Sequence, residues 1–157
     1  MQLQTTRFGP IEIDDAAVIT FTQPIIGFQD SRRFVILPGP AGSSVRWLQS
    51  TESGDLAFLI MDPRTVVPDY HIEINESIAS ELAVDSVDDL EICTLLVVPK
   101  DPSQVRTNLK APILINTRLR LAKQMVLERS SYPIQYFLAQ ARPSDGSEEV
   151  VHARADS

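Results

Sequence analysis

Prolines and glycines cut this chain into pieces too short for long helices. Eleven prolines and six glycines are spread through 157 residues, and each proline fixes φ and removes a backbone donor, so it ends or bends a regular element. The stretches between them are β-prone, and no window carries a long apolar stripe at helical spacing. Ile11 and Ile13 alternate with polar neighbours, residues 17–21 are β-prone, and Phe34, Val35, Ile36 and Leu37 run up to Pro38. Residues 38–44 have a loop composition. The runs 45–50 and 56–61 that follow face each other across Glu52-Ser53-Gly54-Asp55, which predicts a hairpin.

Residues 92–98 are continuously apolar or β-branched and stop at Pro99, as a strand covered on both faces would. Residues 111–116 and 121–127 predict a second hairpin across the turn 116–120. One short helix is expected over residues 75–82, where Ile78 and Leu82 stand four apart behind a polar start. From Arg142 onward apolar residues thin out. The expected organisation is therefore one domain over 1–141 and a flexible tail over 142–157. Many short strands with regular turns suit a sandwich or a closed or half-open barrel. The expected fold is mainly β: a small barrel-like antiparallel β fold with one or two short helices.

Composition excludes several functions. With 43% hydrophobic and 22% charged residues the chain has an ordinary globular balance, which speaks against disorder and membrane residence. Its N-terminal residues lack the basic start and apolar run of an export signal, and its one cysteine, Cys93, cannot form an intrachain disulfide, so a reducing cytoplasm is expected. A net charge of −7 disfavours a surface that tracks phosphates, so no direct nucleic-acid binding is expected.

No Gly-x-Ser-x-Gly elbow or phosphate-binding loop occurs, and two histidines with one cysteine cannot build a clustered zinc site. Cys93, inside the most apolar run, reads as a small buried hydrophobe with a raised pKa, and His71 as a surface residue and not a general base. Trp47 reads as a core or hairpin-packing residue. No catalytic, cofactor or metal site is expected, and the chain is expected not to be an enzyme.

Two segments are polar in unexpected places. In the first, Pro63 and Pro68 lead irregularly into an expected strand whose outward side carries Asp69, His71 and Glu73. In the second, Asn108 and Asn116 bracket an apolar strand opened by Pro112; these asparagines either hold loops or contact a ligand. Between His71 and Lys100 stand seven acids (Glu73, Glu76, Glu81, Asp85, Asp88, Asp89, Glu91) and no Lys or Arg, a block that either faces a basic partner or keeps the surface soluble.

The set Gly27-Phe28, Leu48-Gln49-Ser50, Leu56-Ala57-Phe58, Asp62-Pro63, Pro68-Asp69-Tyr70, Asn108-Leu109-x-Ala111-Pro112-Ile113-x-Ile115-Asn116 and Gln124-x-Val126 closely resembles the FliW family, over about residues 8–136. The block from Asn108 to Asn116 is its most specific part. One departure is Pro24-Ile25-Ile26 before Gly27-Phe28, where the family usually has Gly-hydrophobic-Pro. The resemblance implies a flagellar assembly factor built on a small β-barrel that switches between two partners. Free, it would bind the post-transcriptional regulator CsrA and keep it from repressing flagellin mRNA; accumulating flagellin would occupy it and release CsrA. A monomer when free is expected. Asp69, Tyr70 and Glu73 would lie on a partner-facing edge, with Asn108, Leu109, Pro112 and Asn116 shaping a neighbouring loop and strand. The competing reading is a barrel that binds a small apolar ligand inside, which requires inward residues too small to fill it.

Overall fold

In the computed structural model the described residues are 1–140, so the tail expected over 142–157 lies outside them. The fold is mainly β. Strands β1 (Gln2–Thr5) and β2 (Gly9–Glu12) form a separate hairpin, followed by β3 (Ile19–Phe21), β4 (Arg33–Pro38), β5 (Arg46–Ser50) and β6 (Ala57–Met61). The short helix α1 (Glu76–Glu81) precedes β7 (Glu91–Val97), β8 (Arg106–Thr107), β9 (Ile113–Asn116), β10 (Leu121–Gln124) and β11 (Tyr136–Phe137). Both expected hairpins form: Leu48 pairs with Phe58 across β5–β6, and Leu114 with Lys123 across β9–β10.

The large sheet closes on itself. Its order β7-β6-β5-β4-β3-β10-β9 returns to β7, because Glu91, Ile92 and Cys93 pair with Ile115, Leu114 and Ile113 of β9. The ring has seven strands, and an odd ring cannot alternate direction all the way round, so at least one neighbouring pair must be parallel. That pair is β3–β10, with Leu121 opposite Thr20 and Ala122 opposite Phe21; the other ring contacts are antiparallel. The C-terminal half of β7 leaves β9 and pairs instead with β8, which carries β11 on its other edge. At this fork the Thr107 hydroxyl lies 2.7 Å from both the Thr94 hydroxyl and the Leu95 carbonyl, so the polar groups exposed by the change of partner are met inside the fold.

Strand alternation sends every second side chain into the barrel. Ile19, Phe21, Ile25, Phe34, Leu48, Ile60, Cys93, Ile113, Ile115 and Ala122 form one fully buried cluster there. Phe21 and Phe34 meet edge-on at 5.3 Å between ring centroids, a favourable aromatic geometry. These side chains take up the interior that a ligand-binding barrel would have to keep open. Cys93 is among them, and burial pushes its thiol up to about 12. The opposite faces of the same strands are also covered. Val35 on β4 packs under Leu3 and Ile13 of the β1–β2 hairpin, while Leu114 and Ile92 pack under Tyr70, Ile72, Leu82, Leu90 and Leu109. Trp47 points outward beneath the hairpin, with the Arg7 guanidinium 4.1 Å over its ring and Phe8 edge-on at 5.9 Å.

One expected strand does not form. Residues 70–74 are extended, with Tyr70 and Ile72 buried and His71 and Glu73 exposed, yet they belong to no ladder. The period-2 burial is the signature of an extended chain; it comes here from Tyr70 and Ile72 lying flat on the outer face of the barrel, with no neighbouring strand at hydrogen-bonding distance.

Candidate functional site

The irregular segment after β6 is fixed by local chemistry. Pro63 opens a single 3-10 turn, Pro63–Thr65, capped by the Asp62 carboxylate, which accepts from the Arg64 amide at 2.9 Å. Arg64 then reaches on to the Tyr70 carbonyl at 3.2 Å. Tyr70 is 1% exposed, and its hydroxyl donates to the Leu109 carbonyl at 2.7 Å while its ring rests on Tyr132 at 4.5 Å. Desolvation holds that phenol above its ordinary pKa, so it stays a donor. This corrects the expectation that Tyr70 faces a partner: it anchors the edge from beneath.

The Asn108 to Asn116 block proves to be mostly an internal lace. The Asn108 side-chain oxygen accepts from the amides of Lys110 and Ala111, both at 3.0 Å, holding a tight turn. Leu109 is buried, and its amide donates to the Pro133 carbonyl at 3.1 Å; Lys110 Nζ donates to the Ser130 carbonyl at 3.0 Å. Pro112 is buried, its carbonyl accepting from the Met125 amide at 2.9 Å. Asn116, 2% exposed, accepts from the amides of Arg118 and Leu119 at 3.1 Å and donates to the Leu82 carbonyl at 2.9 Å. It therefore joins the β9–β10 turn to the end of α1. Of the two readings of the asparagines, loop-holding is the one these bonds describe.

Of the seven residues singled out from sequence, Asp69 and Glu73 are exposed, Asn108 is half-buried, and Tyr70, Leu109, Pro112 and Asn116 are buried. Glu73 lines one feature directly, and Tyr70, Leu109 and Pro112 touch residues beside or along it through Tyr132, Pro133 and Met125, whereas Asn116 sits apart at the α1 end. That feature is a groove of about 900 Å³ with residues 71–75 on one side and 125–132 on the other. The second wall was not read as a site from sequence. In the structure it is marked by Val126, 43% exposed between half-buried Met125 and Leu127.

The seven acids of the 73–91 block divide in two. Glu73, Glu76, Asp85, Asp88 and Asp89 are exposed and make no ion pair among the described residues. The other two acids of the block are used internally. Glu91 pairs with Arg46, and Glu81 accepts from the Thr22 hydroxyl at 2.6 Å and pairs with Lys123 at 2.9 Å. The Thr22 hydrogen bond, followed by that of Lys123, holds the Glu81 carboxyl below its ordinary pKa. His71 is exposed at the groove edge, its amide donating to the Tyr132 hydroxyl at 3.3 Å. Among the described residues no group of three or more His, Cys, Asp or Glu side chains could hold a metal ion, and no helix is long and apolar enough to cross a membrane.

Fold and site together define a small closed β-barrel protein whose open features lie on its outer surface. A family model described as "FliW protein" matches residues 2–138. The chain is 36% identical over 131 residues to the flagellar assembly factor FliW of Caldicellulosiruptor saccharolyticus, covering 83% of this chain and 86% of that protein. It is 34% identical over 142 residues to that of Syntrophus aciditrophicus, covering 90% of each, and 33% identical over 135 residues to that of Bdellovibrio bacteriovorus, covering 86% and 77%. A solved structure, "Crystal structure of the flagellar assembly factor FliW", superposes with a TM-score of 0.80 at 28% identity, covering 87% of this chain and 96% of that one. The chain belongs to the FliW family of flagellar assembly factors.

Proposed function

We propose that this chain serves flagellar assembly as a cytoplasmic partner-switching protein, holding CsrA until flagellin displaces it. The observation that carries the reading is the exposed carboxylate surface: five acids of the 73–89 stretch have no cation of their own, and a regulator that grips RNA must itself be basic. Such complementarity speeds encounter and sets orientation more than it adds affinity. The bonds around Tyr70 and Leu109 support the same reading, since they fix the backbone beside Asp69 and Glu73 without using either carboxylate.

Calorimetric titration with CsrA and with flagellin, then competition between them at two salt concentrations, tests this. Mutually exclusive binding, with the CsrA complex weaker at high salt, is the expected result. Combining Asp69→Ala with Glu73→Ala should weaken CsrA binding by about threefold to tenfold with the melting temperature unchanged, because exposed charges of this kind contribute about 0–1 kcal/mol to stability. Binding of neither protein would overturn the proposal.

A further inference from the structure

A backbone amide or carbonyl without a protein partner has to be met by water or by another molecule. Residues 72–74 are extended between buried Tyr70 and Asn75, the N-cap of α1, and none of their N–H or C=O groups is hydrogen-bonded among the described residues. On the facing wall, the amides of Met125 and Leu127 turn inward to Pro112 and Lys110 at 2.9 and 2.7 Å, while the backbone groups of Val126 and Glu128 have no partner there. Two stretches of free backbone thus border one groove.

Its side chains select further. Val126, 43% exposed, is the open apolar side chain of one wall, while Ile74, Met125 and Leu127 also line the groove but are half-buried against the cluster of Tyr70, Ile72 and Leu114. The charged groups lining it are the carboxylates of Glu73 and Glu128 and the guanidinium of Arg129, beside His71, and the chain from residue 71 to 99 has no Lys or Arg. An extended chain satisfies free backbone along its whole length and places alternate side chains on one face.

We propose that this groove takes an extended, cationic segment of a partner protein as an added strand. The backbone of the segment pairs with residues 72–74, its apolar side chains lie against Val126, and its Lys or Arg residues turn to Glu73 and Glu128. The proposal rests on the binding-protein reading above and specifies its mode.

The probe is a capped hexapeptide of alternating lysine and valine, titrated into the full chain and followed by amide NMR. Two further forms carry N-methyl groups on every valine or on every lysine nitrogen, and an acidic twin replaces lysine by glutamate. Saturable shifts at residues 72–74 and 126–128 are expected, with at least tenfold weaker binding of one methylated form, of the acidic twin, and of the parent peptide to a Glu73→Gln/Glu128→Gln variant. Equal binding of both methylated forms, shifts confined elsewhere, or no binding at millimolar peptide overturns the proposal. If CsrA and flagellin bind while amides 72–74 exchange as fast as in the free protein, strand addition fails and the partner reading stands. If the peptide binds here and neither protein does, strand addition stands and the partner reading fails.

Discussion

The barrel interior and the collar around the groove are built from the same kinds of residue by different means. Inside, Phe21, Phe34, Leu48, Ile60 and Ile113 are held by ladders on both sides and by one another. In the collar, residues 62–75, 108–112 and 125–133 are held by scattered bonds, from side chain to backbone as from Tyr70 to Leu109 and Lys110 to Ser130, and from backbone to backbone as from Leu109 to Pro133 and Met125 to Pro112, with free backbone left between them. A ladder distributes its load over many bonds, so the interior tolerates no opening short of unfolding; a lace depends on a few contacts and can open locally at lower cost. Closed ladders and isolated bonds thus occupy different layers of one small protein.

Three substitutions would break or sharpen that contrast. The largest effect is expected for Phe34→Ala, which empties a site at the centre of the interior cluster and should cost about 3–5 kcal/mol, read as a lower denaturant midpoint with global loss of amide protection. Tyr70→Phe keeps the ring on Tyr132 but leaves the Leu109 carbonyl without its donor, at a cost of about 1–3 kcal/mol. Hydrogen exchange should then accelerate in residues 108–112 and 125–133 and not in the barrel strands; uniform acceleration would show that the two layers are one cooperative unit. The smallest effect belongs to Glu81→Gln, which loosens α1 from β10 and should cost less than about 1 kcal/mol at neutral pH. Because the folded Glu81 carboxyl lies below the unfolded value of 4.5, its contribution is complete above that value and is lost as pH falls through the lowered folded one. The variant should show a flatter acid limb in stability against pH, and an unchanged limb would remove Glu81 from the account.

What could be read from the sequence divides along the same line. Both hairpins were legible because their turns and alternation are local, and α1 because Ile78 and Leu82 four apart behind a polar start are a signal contained in two turns. The pairings β7–β9 and β3–β10 were not, since nothing near Glu91 or Thr20 specifies a partner far along the chain. Residues 70–74 displayed strand periodicity without a ladder, because alternation reports burial and not hydrogen bonding. Tyr70 was put on the partner-facing edge with Asp69 and Glu73 by the family resemblance; that its hydroxyl serves a carbonyl as distant as that of Leu109 is not written near it in the chain.

The parallel seam between β3 and β10 has a consequence in time. Thr22 and Ala122, which meet at that seam, are 100 residues apart in the chain. During synthesis β3 emerges among the first strands and cannot be closed over until nearly the whole described chain has been made. Ring closure is thus a late event that brings together the most distant segments, and the entropy of joining them is offset only when the last hairpin arrives. Until residues 121–124 are made, β3 and β9 both lack the neighbour that joins them, so the ring cannot close before the last hairpin exists.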